Sequence, residues 1–70
     1  MMHITFYYWS DNGEIRSVRE VNCIPVVGDI VYFSLVEGDK ASLKGKFIVS
    51  GREFCFEGGG MKTTVILTRR

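Results

Sequence analysis

Seventy residues, 46% of them hydrophobic and 13% aromatic, suffice for one small domain with a thin core, because a chain of this length buries only about 60% of the surface its unfolded form exposes. The formal charge of +1 argues against a strong electrostatic hold on nucleic acid or an anionic membrane, and two cysteines are too few for a disulfide scaffold. Met1-Met2-His3 lacks the basic start and apolar stretch of a secretory signal, and no eighteen consecutive residues are apolar, so a soluble, cytoplasmic chain with reduced thiols and no membrane partner is expected.

In chain order, His3 to Trp9 is an aromatic and β-branched run that predicts a strand, closed by the turn residues Ser10-Asp11-Asn12-Gly13. A second strand is expected from about Glu14 to Cys23, with Ile15, Val18 and Val21 as its apolar members. Pro25-Val26-Val27-Gly28-Asp29 predicts a turn in which the Asp29 side chain bonds nearby backbone amides. A third strand runs from Ile30 to Val36, and the polar stretch Glu37 to Gly45 reads as a loop or hairpin tip. Lys46 to Val49 and Glu53 to Phe56 are strand-like, but their apolar phase slips from odd to even positions. Either a β-bulge or a turn at Ser50-Gly51 accounts for the slip. Gly58-Gly59-Gly60 marks a tip, and Met61 to Arg69 alternates as the last strand.

With no sustained apolar repeat at helical spacing, the fold class is all-β: a small five-stranded barrel or rolled antiparallel sheet, occupying residues 1–70 as one domain. The order of an acidic Gly-containing hairpin, then Ile24-Pro25-Val26-Val27-Gly28-Asp29-Ile30-Val31, Phe47-Ile48-Val49-Ser50-Gly51-Arg52-Glu53-Phe54 and Val65-Ile66-Leu67-Thr68-Arg69, resembles a loose group of small uncharacterised bacterial and phage proteins. The resemblance implies a five-stranded, SH3-like barrel. It implies no activity and no site residues, and the Glu37–Gly45 stretch is longer than the turn that the group implies there.

Catalytic chemistry finds little support. His3 is the only histidine and sits at a chain end, a poor anchor for a general base. Cys23 and Cys55 have no predicted helix terminus to acidify them and are expected as small buried hydrophobes. Carboxylates are scattered without metal-ligand spacing, and the triple glycine leads into a strand rather than the helix of a phosphate loop. A non-enzyme without cofactor or metal is the expectation.

The surface says more. Successive strand side chains point to opposite faces, so Ile4, Phe6 and Tyr8 oppose Thr5, Tyr7 and Trp9. Val31, Phe33 and Leu35 oppose Ile30, Tyr32 and Val36, and Ile48 and Ile66 oppose Phe47, Val49, Val65 and Leu67. A small barrel has one inside, so the second apolar set is covered by loops, covered by another chain or left in water. The sequence therefore points to a non-catalytic interaction module, of which a phage-related inhibitor or adaptor is one concrete form. Its candidate site is Tyr7, Trp9, Ile30 and Tyr32, and its partner is another protein or a second copy in a homodimer. The alternative rests on a charge split, −4 over residues 1–39 and +5 over residues 40–70. It is a nucleic-acid-binding barrel in which Tyr7 and Trp9 stack on bases while Lys44, Lys46, Lys62, Arg69 and Arg70 track phosphates, with weak binding expected from the near-neutral total.

Overall fold

The computed structural model describes residues 2–11, 13–33 and 43–69. Five strands, β1 (Met2–Ser10), β2 (Gly13–Val21), β3 (Ile30–Phe33), β4 (Gly45–Glu57) and β5 (Gly60–Arg69), form one sheet in the order β2-β1-β5-β4-β3, curled into a half-barrel. β1 and β5 are parallel neighbours and the other pairs are antiparallel, so the sheet is mixed rather than a simple antiparallel roll. Among the described residues β2 and β3 do not pair with each other. The half-barrel is consistent with the small barrel-like all-β fold expected, and the second strand ends at Val21 rather than Cys23.

Local chemistry explains the turns. In the β1–β2 hairpin the Ser10 hydroxyl donates to the Gly13 carbonyl at 2.7 Å. The Asp29 amide donates to the Val26 carbonyl at 3.0 Å, and the Asp29 carboxylate accepts from the Val26 amide at 2.9 Å. Gly28 between them takes a φ of +98°, as the third position of a type II turn requires. Asp29 thus performs the turn-stabilising task expected of it. The turn is docked on β4, where the Gly28 amide donates to Val49 and the Val49 amide to Asp29, both at 2.9 Å. At the β4–β5 tip only Gly58 of the two central residues has a positive φ, +57°, the pattern of a II′ turn.

The two expected segments 46–49 and 53–56 are one strand, and the register shift falls between Val49 and Gly51: Ser50-Gly51 is a bulge, not a turn. β3 is described from Ile30 to Phe33; Leu35, Val36 and most of the predicted loop lie outside the described residues.

Ile4, Phe6, Phe33, Leu43, Phe47, Val49, Val65 and Leu67 form the core on the concave face, with Tyr8, Ile15, Val21, Ile24 and Val31 packed at its margin. Aromatic rings meet edge to face: Phe6 and Phe33 at 5.1 Å, Tyr8 and Phe47 at 5.0 Å, Phe33 and Phe47 at 5.8 Å. Arg69 lies over the Phe47 ring at 4.8 Å and donates to the Lys44 carbonyl at 3.0 Å, closing one end of the core. One expectation is corrected. Cys23 and Cys55 are exposed, because one lies in the connection after β2 and the other faces outward on β4. Val18 is exposed as well, because β2 turns its odd residues Ile15, Ser17 and Val21 inward and its even ones out.

Phe47 is fully buried and touches two other rings, so Phe47→Ala should cost about 3–5 kcal/mol of unfolding free energy through lost burial and a residual cavity. For so small a domain this removes most of the stability; a urea midpoint close to that of the native chain would contradict the assigned core.

Candidate functional site: the outer face of the sheet

On the convex face the register builds cross-strand rows. One runs Ile30 (β3), Ile48 (β4), Thr68 (β5), and one step beyond the last β1–β5 pair, Tyr8 with Leu67, Trp9 comes alongside Thr68. The next row is Gly51, Ile66, Tyr7 and Arg16, and the third Glu53, Thr64, Thr5 and Val18. Tyr32 stands opposite Lys46 near the β3 edge.

All four residues predicted for a partner surface therefore share this face, in two pairs. Tyr7 and Trp9 are on β1 and Ile30 and Tyr32 on β3, with β5 and β4 between them, about 14 Å across the sheet. Ile48 and Thr68 bridge the gap within one row. Trp9 and Tyr32 are each 67% exposed and Ile30 50%, whereas Tyr7 is half-buried.

Tyr7 owes its partial burial to β2. The Arg16 guanidinium lies over its ring at 5.3 Å and also donates from Nε to Glu14 Oε1, and the same carboxylate acts electrostatically on the Tyr7 hydroxyl. The Arg16 bond holds the Glu14 carboxyl below the ordinary glutamate range, whereas desolvation, followed by the Glu14 charge, pushes the Tyr7 hydroxyl up. Beside this trio is a shallow depression of about 240 Å³ lined by Tyr7, Arg16, Glu53, Thr64 and Ile66. It is open and mixed in polarity, and among the described residues no group of three or more His, Cys, Asp or Glu is placed to hold a metal ion.

The basic residues of the nucleic-acid alternative are not brought together. Lys46 on β4 and Lys62 on β5, the latter opposite Cys55, sit toward opposite ends of the β4–β5 ladder, roughly 30 Å apart along it. Lys44 precedes β4, and Arg69 is engaged over Phe47 and Tyr8 on the inner side. Arg70 lies outside the described residues.

Sequence reasoning missed the Tyr7–Glu14–Arg16 trio, whose signal was the hairpin register that sets Tyr7 opposite Arg16. It also missed Phe54, Phe56 and Met61, exposed on the concave side of the distal β4–β5 hairpin. Compared with protein-family models, with characterised proteins and with solved structures, the chain matches none. No helix among the described residues is long and apolar enough to cross a membrane.

A carboxyl with a lowered folded-state pKa contributes stability above its unfolded pKa and loses it as the pH falls through the folded value. Carbon-detected NMR titration should place the Glu14 midpoint below the ordinary glutamate value, and Arg16→Ala should raise it. Added salt should shrink the shift, because the pair is in water. An unchanged midpoint in Arg16→Ala would dissolve the trio.

Proposed function

We propose that this chain is a non-catalytic protein-interaction module that binds a protein partner through its convex face. Trp9, Thr68, Ile48 and Ile30 form the central row of the contact, with Tyr32 and Tyr7 on its flanks. The observation that carries this reading is the pair of aromatic side chains, Trp9 and Tyr32, each two-thirds exposed at the two ends of a face whose middle is aliphatic. Such side chains bury much area on contact for few rotatable bonds, which suits them to interface centres. Charged residues ring the row: Glu14 beside Trp9, Lys46 beside Tyr32 and Arg16 beside Tyr7.

A phage-related inhibitor or adaptor is the form suggested by the strand and turn order. Exposed, unbridged Cys23 and Cys55 suit a reducing, cytoplasmic setting. Scattered bases do not favour the nucleic-acid alternative, since a phosphate track needs its cations along one groove.

Trp9→Ser and Tyr32→Ser should keep the thermal midpoint of the native chain and abolish recovery of a defined polypeptide from an extract of the source cells. Phe33→Ser, which empties a buried ring site, should unfold the protein. Equal destabilisation by all three would assign the outer rings to the core, and unchanged recovery by the first two would remove the interface. Nucleic acid retained by the native chain at near-physiological salt would shift the reading to the basic residues.

A further inference from the structure

The distal half of β4 has a free edge. β3 pairs with β4 only from Gly45 to Ile48, and the Gly28–Asp29 turn covers Val49; beyond this, among the described residues, nothing pairs with that side of Ser50 to Glu57. The two-residue tip makes Glu57 and Gly60 the hydrogen-bonded closing pair of the hairpin, so alternation turns the backbone amides and carbonyls of Arg52, Phe54 and Phe56 outward. Their side chains stand on the concave side opposite Val65, Thr63 and Met61. There Phe54 is 41% and Phe56 78% exposed. An outward row of amides and carbonyls is a template on which an extended strand can pair in place of water.

We infer that the occupant is a second copy of this chain, joined by antiparallel pairing of two β4 edges about a two-fold axis at Phe54. Three features of the strand support self-pairing in that register. First, the axis sets Gly51 opposite Glu57 of the second copy, so the paired stretch spans the free edge and each tip stops where the docked Gly28 turn of the other copy begins. Second, it sets Phe54 on its own counterpart and Arg52 on the second Phe56; within one chain the Arg52 guanidinium already lies 5.6 Å over the Phe54 ring. Third, no like charges oppose. A shift that centres the axis on Cys55 sets Glu53 against Glu57 twice, and one centred on Glu53 opposes that carboxylate to itself. In the Phe54 register Arg52, Phe54 and Phe56 exchange six backbone hydrogen bonds with the second copy, and the two sheets become one. This edge is distinct from the convex face, so the two surfaces stand or fall separately.

The test is molar mass by light scattering or sedimentation across micromolar to millimolar concentration. The native chain should rise from 8.0 kDa toward twice that value. Phe56→Lys sets a lysine against Arg52 of the second copy at both ends, and should weaken association by about tenfold or more while the thermal midpoint of the dilute monomer stays put, since the ring is exposed. Adding Arg52→Glu to that variant creates an opposite-charge pair at both ends and should restore the dimer. Trp9→Ser should leave the mass curve unchanged. A native chain that stays monomeric overturns the proposal, as does an unaltered dimer in Phe56→Lys or a double variant that fails to recover. Loss of the dimer in Trp9→Ser would assign association to the convex face instead.

Discussion

Phe33 is the residue on which the shape of the sheet turns. It belongs to β3, one edge of the sheet, yet its ring lies 5.1 Å from Phe6 on β1, two strands beyond its β4 neighbour, and 5.4 Å from the guanidinium of Arg19 on β2, the opposite edge. Because β2 and β3 share no ladder among the described residues, there the two edges meet through this side-chain contact across the interior rather than through backbone hydrogen bonds. The bulge at Ser50-Gly51 cooperates, since an extra residue bends its strand and increases local twist, and the Ser50 hydroxyl secures it by donating to the Ile66 carbonyl at 3.2 Å.

A sheet folded over one row of phenylalanines has one dry side. The rest of the chain's apolar content, distributed on both faces of β1, β3 and the middle of β4, has to go to the convex surface or to the hairpin that overruns the core. The two surfaces differ in character. The convex face mixes rings with charges and threonines around a shallow depression, whereas the distal hairpin offers backbone groups and two phenyl rings along a line. One suits a shaped partner surface; the other suits only a strand.

Much of this was legible in the residues themselves. Period-two alternation separated Ile4 and Phe6 from Tyr7 and Trp9 correctly, turn chemistry located Ser10–Gly13 and Val26–Asp29, and the odd-to-even slip between Val49 and Phe54 marked the bulge. Periodicity determines faces but not neighbours, however. Nothing in Thr5 or Thr64 announces that they lie side by side, and without the strand order the distance between Trp9 and Tyr32 could not be read. Cys55 was misjudged because a small apolar residue looks the same on an outward-facing position as in a core. The free edge was invisible because it follows from where the β3–β4 ladder begins, at Ile30 opposite Ile48, which only pairing reveals.

The parallel ladder between β1 and β5 joins Thr5 to Thr64, nearly the two ends of the described chain. The hairpins β1–β2 and β4–β5 need only short loops and are able to form within microseconds on their own. Seating one against the other closes the stretch from Thr5 to Thr64 into a ring, a step whose entropic cost falls due before the core contacts are in place. The sheet therefore assembles as two local ribbons that must find each other, with β4–β5 as the larger and more self-sufficient partner. Phe6, Val65 and Leu67 are the buried side chains that meet across that seam.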